Sequence, residues 1–183
     1  MDKSQARSEV KRRLAAMGAE EKRCADALIE RVASDYVLMR GYNNVCIYNA
    51  LPSEVATAGI VARLMSAGVK ICMPKVCGAD MSLIYIDNVT RCEQGAFGIK
   101  EPVGEQISAS SARLDAVITP MLAYTDGKGR IGKGKGYYDR FFADIGRAER
   151  IGIAYGIQYI GGVKLDGFDV PMDTVITEKG LID

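Results

Sequence analysis

Residues 129–140 read Gly-Arg-Ile-Gly-Lys-Gly-Lys-Gly-Tyr-Tyr-Asp-Arg, and these residue types suit the binding of a polyphosphate. Glycine frees the backbone to take positive φ and lets main-chain N–H groups approach a ligand closely. Arg130, Lys133 and Lys135 add the positive charge that phosphates require. A helix starting near Gly136 would turn its N-terminal dipole toward the same place. The plain alternative is a solvated basic loop. Against it, the segment follows an apolar run at 115–124 that reads as a buried strand and precedes an aromatic run at 137–142 that reads as a helix start.

The run matches neither of the two best-known nucleotide fingerprints. It lacks the Lys-Ser or Lys-Thr that ends a Walker A loop, and its Gly-Lys-Gly pairs have no third glycine in register before an acidic ribose ligand. The chain also contains no histidine, which excludes Ser-His-Asp and Cys-His catalysis and zinc sites of the usual histidine-containing kind. Activation must come from carboxylates, lysines, tyrosines or a cosubstrate.

The totals narrow the class further. With 24 basic and 23 acidic residues the net charge is +1, so neither nucleic acid nor a membrane surface is expected as a partner. At 183 residues and 48% apolar content the chain suits one packed domain, residues 1–183. The five cysteines are odd in number and form no Cys-x-x-Cys pair, which predicts reduced thiols and a cytoplasmic protein. The charged start, with Lys3, Arg7 and Lys11, reads as a helix rather than a signal peptide, and no run is long enough to span a membrane.

Periodicity supplies the elements that must hold the glycine run. Apolar residues at Ala6, Val10, Leu14 and Met17 predict a helix over 3–17 with Gly18 as its C-cap, and a second helix follows over 19–34. A strand at 44–48, a helix from Ser53 to Ser66 and a strand at 69–74 form a β-α-β unit, so these two strands should be parallel neighbours. Further strands are expected at 82–86, 115–124, 150–155 and 175–177, with a helix over 137–145 and a loop over 92–105. The sum is an α/β fold, a three-layer α/β/α sandwich around a mainly parallel, Rossmann-like sheet. Ligands then belong at the carboxyl ends of the strands, near residues 49–54, 124–136 and Gln158.

Several motifs together carry a resemblance. Lys3-Ser-Gln-Ala-Arg7, Glu54-Val-Ala-Thr57, Gly98-Ile-Lys-Glu-Pro102, the run from Arg130 to Arg140 and Asp169-Val-Pro-Met-Asp173 resemble the 5-formyltetrahydrofolate cyclo-ligase family over nearly the whole chain. The resemblance implies conversion of 5-formyltetrahydrofolate and MgATP to 5,10-methenyltetrahydrofolate, ADP and phosphate. ATP would phosphorylate the formyl oxygen, N10 would attack the activated carbon, and phosphate would leave as the ring closes. Other readings are a non-catalytic relative that binds folate or nucleotide, and a similar enzyme acting on another formylated or carboxylated substrate.

Residue by residue, the resemblance places Lys3, Arg7 and the stretch Arg130, Ile131, Gly132, Lys133, Gly134, Lys135, Gly136, Tyr137 and Tyr138 around ATP. Glu54 would be the folate-binding carboxylate, suited to the amino-pyrimidine edge of the pterin, with Asn49 lining the same pocket, which Lys133, Gly134, Lys135, Gly136 and Tyr137 would border. Lys135, Arg130 and Tyr137 are the expected catalytic groups. Asp139 and Asp169 are the expected magnesium carboxylates, and Tyr124 and Tyr155 possible walls for the pterin. The plain readings are a basic helix face for Lys3 and Arg7, an ion pair of Asp139 with Arg130 or Arg140, a turn-forming Asp169, a helix-start acid at Glu54 and core positions for both tyrosines. The implied partners are ATP and 5-formyltetrahydrofolate, with the chain a monomer or weak homodimer. Two positions depart from the family pattern: Phe168 precedes Asp169 where a histidine is usual, and Ala56 replaces an acid.

Overall fold

The computed structural model describes residues 1–90, 92–95, 100–167 and 169–182. Gly98 and Ile99 of the third motif, and Phe168, lie outside the described residues. The centre is a seven-stranded sheet built from β1 (Asn44–Ile47), β2 (Lys70–Cys77), β3 (Asp80–Ile86), β6 (Ala116–Pro120), β9 (Glu149–Ile153), β10 (Thr174–Thr177) and β11 (Gly180–Ile182). Their order is β11-β10-β9-β6-β1-β2-β3. The five inner strands run parallel, and the two edge pairs, β2 with β3 and β10 with β11, are antiparallel.

The parallel strands read as short apolar runs because both faces are covered. In β1, Val45 and Ile47 enter one core while Cys46 enters the other. The first core is closed by α2 (Ala19–Met39), through Ile29, Ala33 and Val37, and by α3 (Ala58–Ser66), through Ile60 and Leu64. The second is closed by Phe141 and Phe142 of α4 (Tyr137–Asp144), packed with Cys72, Val117 and Val175. This is the expected three-layer arrangement. The buried thiols Cys46 and Cys72 serve as small apolar side chains, paired in register between β1 and β2.

The β1-α3-β2 unit pairs parallel, as its spacing predicts, with Asn44 opposite Lys70. After β2 the chain returns past β1 to continue on its other side, so connections leaving β1 and β6 diverge. In an open sheet that divergence opens a crevice at the carboxyl ends of the two strands.

Local boundaries differ from the periodicity in several places, and α2 and β2 run on to Met39 and Cys77, past the expected 34 and 74. The helix expected from Ser53 starts at Ala58, because Glu54 N–H bonds the Leu51 carbonyl and the Thr57 hydroxyl bonds the Tyr48 carbonyl, which holds 51–57 as a turn. The apolar run 115–124 breaks after Pro120 into β6 and a separate β7 (Ala123–Tyr124), which pairs with β8 (Arg130–Ile131). The expected loop at 92–105 contains a small hairpin of β4 (Cys92–Gln94) and β5 (Lys100–Pro102). Gly18 caps the start of α2 rather than the end of α1 (Lys3–Ala16), which ends on Met17. Among the described residues no helix is long and apolar enough to cross a membrane.

Candidate functional site

The β7–β8 hairpin lifts the glycine run off the sheet. Tyr124 faces Arg130 and Ala123 faces Ile131 across it, and Leu122 N–H bonds the Ile131 carbonyl at 3.0 Å. Gly134 and Gly136 take φ of 92° and 68°, conformations that side chains rarely adopt. Gly136 is also the N-cap of α4, and no side chain caps that end. The first backbone N–H groups of α4 therefore remain available to an anion.

Arg130 is the buried anchor of this loop. Its guanidinium lies 5.2 Å over the Tyr138 ring and 5.8 Å over Phe142, and it meets Asp139 at 3.2 Å. Asp139 pairs with Arg130 rather than Arg140. Arg140 instead bonds the Ala79 carbonyl at 3.1 Å through Nε and the Lys135 carbonyl through Nη1 at 3.4 Å. It thereby ties the loop to the turn between β2 and β3, where Tyr137 OH also bonds the Gly78 carbonyl at 3.2 Å. Charge pattern alone did not distinguish this clamp from a surface arginine.

A capping box fixes the start of α1: Asp2 accepts from Gln5 N–H at 2.8 Å, and Gln5 accepts from Asp2 N–H at 3.0 Å. Lys3 and Arg7 consequently share a face turned toward the loop. Arg7 Nε bonds the Gly132 carbonyl at 2.8 Å. Lys3 ion-pairs with Asp166 at 2.7 Å and with Asp169. Burial acts to lower the Lys3 pKa, but hydrogen bonds and charge from the two aspartates together outweigh it, so it sits above its usual 10.5.

On the β1 side, Glu54 projects from the 51–57 turn rather than from a helix. It accepts from Leu51 N–H at 2.9 Å and pairs with Lys133 at 2.7 Å. Tyr155 OH holds this turn, donating to Asp26 at 2.6 Å and to the Glu54 carbonyl at 3.1 Å. Burial, then the Asp26 carboxylate, push the Tyr155 hydroxyl pKa well up, so it remains a donor. Neither Tyr155 nor Tyr124 walls the cavity; both are core residues. Ala56, the departure from the acidic pattern, offers its N–H to Asp26 at 3.0 Å.

These parts enclose one cavity of about 370 Å³, within the range of small-molecule sites. Arg7, Asn49, Glu54, the whole of residues 130–139 and Asp169 line it. Of the residues singled out for binding or chemistry in the sequence, Lys3 joins Tyr124 and Tyr155 off the wall, and it reaches the site through Asp169. Tyr48, Met121 and Leu122, at the ends of β1 and β6, line the crevice that the strand order creates. Gln158, a buried residue of the same wall, donates to the Met121 and Leu122 carbonyls at 2.6 and 3.0 Å and so fixes the turn after β6.

The cavity lining is mixed. Arg7, Arg130, Lys133 and Lys135 reach it from α1 and the glycine loop, whereas Pro74, Val76 and Met81 of the β2–β3 pair add apolar surface. That apolar surface carries no local signal, and the buried Glu101 of β5, although part of the third motif, has no role legible there, because only tertiary packing brings them to the loop. Among the described residues no group of three or more metal-ligating side chains gathers. Asp139 and Asp169 both line the cavity, however, and one or two carboxylates suffice for magnesium when phosphate oxygens and water complete its shell. The arrangement can hold a polyphosphate beside a flat, weakly polar ring.

Comparison with known proteins agrees with this geometry. The sequence pattern of the 5-formyltetrahydrofolate cyclo-ligase family matches residues 1–178. A probable 5-formyltetrahydrofolate cyclo-ligase of Caenorhabditis elegans is 27% identical, over 96% of this chain and 92% of that one. The Mycoplasma pneumoniae 5-formyltetrahydrofolate cyclo-ligase is 26% identical over 98% of this chain and all of the other. The solution structure of Aquifex aeolicus 5,10-methenyltetrahydrofolate synthetase superposes with a TM-score of 0.85 at 28% identity, covering 98% and 91% of the two chains. With the family pattern spanning nearly the whole chain and the glycine loop, its cations and its carboxylates gathered on one cavity, this chain belongs to the 5-formyltetrahydrofolate cyclo-ligase family.

Proposed function

We propose that this cavity is the place where the chain carries out its family's reaction, the ATP-dependent conversion of 5-formyltetrahydrofolate to 5,10-methenyltetrahydrofolate. The observation that carries the assignment is the mixed lining of one cavity: four cations and a helix start with no side-chain cap among the described residues, together with apolar residues of the β2–β3 pair. In the reaction, the formyl oxygen bonds to the γ-phosphorus of ATP as the bond to ADP breaks. N10 then attacks the formyl carbon and loses its proton, and the carbon–oxygen bond breaks to release phosphate.

The protein's share is positioning and charge neutralisation. Lys135 has no ion-pair partner among the described residues, so it is the cation free to follow charge onto the transferring phosphoryl group. Arg130 is held by Asp139 and two rings and fixes the loop from beneath. Arg7 steadies the Gly132 carbonyl, and Lys3 orients Asp169. Asn49 and Glu54 border the folate, with Glu54 also restraining Lys133. Tyr137, tethered at the β2–β3 turn, closes the loop over the substrate. Asp139 and Asp169 would hold magnesium, which when bound neutralises phosphate charge. We read the chain as one cyclo-ligase domain, and its free cysteines accord with a reducing cytoplasm.

Mixing the protein with ATP, magnesium and 5-formyltetrahydrofolate and following the methenyl absorbance tests this reading. Product should require ATP, and Lys135→Ala should lower kcat by about 100- to 1000-fold. Folate binding without product would instead favour a non-catalytic folate-binding relative.

A further inference from the structure

Four carboxylates line the cavity: Glu54, Glu101, Asp139 and Asp169. Three are committed to cations, Glu54 to Lys133, Asp139 to Arg130 and Asp169 to Lys3. Glu101 is different. It is 7% exposed, and among the described residues its carboxylate has no hydrogen-bond or ion-pair partner. Neither oxygen is sealed off without a partner, so both retain contact with open space, and the residue lines the cavity. Gly95, across the β4–β5 hairpin, leaves it room, since a Cβ there would meet the Glu101 carboxyl carbon at 2.3 Å.

A buried carboxylate without a partner is costly, and a ligand that supplies donors removes the cost. Phosphate cannot be that ligand, because like charge repels it. The donors must come from the flat part of the substrate, which fits the wall of Pro74, Val76 and Met81 that Glu101 shares. An amino-pyrimidinone ring carries two neighbouring N–H donors, on its exocyclic amine and its ring nitrogen, spaced to meet both oxygens of one carboxylate. Glu54 already accepts from Lys133 on one oxygen and from Leu51 N–H on the other, whereas both oxygens of Glu101 are open.

We infer that Glu101 is the carboxylate that recognises the amino-pyrimidinone edge of the pterin, a specificity residue supplied by the β4–β5 hairpin; this rests on the folate reading of the cavity. Glu54 still borders the folate while it holds Lys133 beside the phosphates. Pterin specificity thus comes from the hairpin beyond β3, and phosphate binding from the glycine loop.

The test measures equilibrium binding of 5-formyltetrahydrofolate, of its 2-desamino analogue and of ATP to the wild type, Glu101→Ala and Glu101→Gln. Losing a charged hydrogen-bond acceptor should weaken folate binding about 10- to 100-fold and leave ATP binding unchanged. The wild type should disfavour the desamino analogue, and Glu101→Ala should lose that preference. The ligand-free variants should melt at or above the wild-type temperature, because an unpartnered buried charge has been removed. A purely structural residue would show the opposite, a lower melting temperature with folate affinity intact. Gly95→Ala, which displaces the carboxylate without removing it, should weaken folate binding in the same direction. If the wild type cyclises the substrate while Glu101→Ala binds folate within twofold of it, or the desamino preference persists, the inference fails alone. A wild type that binds no folate and forms no product overturns the folate reading and this inference together.

Discussion

Arg130 and Asp139 offer a way to separate the structural role of the glycine loop from its chemical one. The Arg130 side chain is 5% exposed and that of Asp139 is 26% exposed. Removing one member of a buried pair costs about 3–5 kcal/mol when the other is left without solvent. In Arg130→Met the orphaned Asp139 can hydrate through the cavity, which reduces the loss to about 2 kcal/mol. Loss of the contacts over Tyr138 and Phe142 adds about 1 kcal/mol, and relief of the buried, unpartnered Arg130 Nε returns about the same. The expected net loss is about 2 kcal/mol. Asp139→Asn should cost about 3 kcal/mol, because the guanidinium left behind is the more deeply buried partner. The double variant removes both charges together, so its loss should fall short of the sum of the singles by at least about 1 kcal/mol. Urea denaturation followed by circular dichroism, at constant slope, measures all three. Singles that sum to the double within about 0.5 kcal/mol would refute a coupled pair. Activity supplies the second half of the argument. The double variant should remain at least about 100-fold down in kcat/KM even where stability is recovered, because the loop has lost both its fixed cation and the Asp139 carboxylate proposed to hold magnesium. Activity returning with stability would mean that Arg130 only holds the loop together.

Two further perturbations test the frame around the site. Gly136→Ala places a Cβ at φ of 68° and 2.9 Å from the Arg140 guanidinium, so it should cost about 1–2 kcal/mol and loosen the clamp on Lys135. Thermal melting checks this against Gly18→Ala, where φ is −68° and the space is open; equal melting of the two variants would contradict the left-handed cap. Glu149, at the opposite end of the sheet, is pushed up by burial. Hydrogen bonds from Thr174, Tyr36 and Tyr42, with the charge of Arg40, outweigh that, and its pKa falls below the usual 4.5. A depressed carboxylate contributes stability above its unfolded pKa and loses it as pH falls through the folded value. The stability gap between wild type and Glu149→Gln should therefore stay flat near neutrality and shrink below about pH 4.5. A gap that widens in acid, in urea midpoints measured against pH, would reverse the sign of this argument.

Much of this protein is written locally. The β1-α3-β2 unit follows from two short apolar runs around a helical period, and the anion loop follows from glycines, which take the φ values found at 134 and 136 without the cost a side chain brings. The first helix and the shared face of Lys3 and Arg7 follow from spacing and from the Asp2–Gln5 capping box. Local pattern failed where long-range hydrogen bonds override propensity. Residues 53–57 look like a helix start, yet Tyr48, Asp26 and Tyr155 bind them into a turn that carries Glu54 to Lys133. The apolar run 115–124 looks like one strand, yet Arg130 and Ile131 pair with its second half and pull it off the sheet. The distribution of charge was also beyond the sequence. Asp139 had two arginine neighbours to choose from, and Lys3 lies 166 residues from its partner Asp169. The apolar wall reaches the glycine loop because β2 and β3 lie beside β1 in the sheet, and Glu101 because the separate β4–β5 hairpin packs on β2. Residue types and short spacings set which chemistry was available; strand order set which of those groups meet, because contact between distant residues is decided by packing that no local window contains.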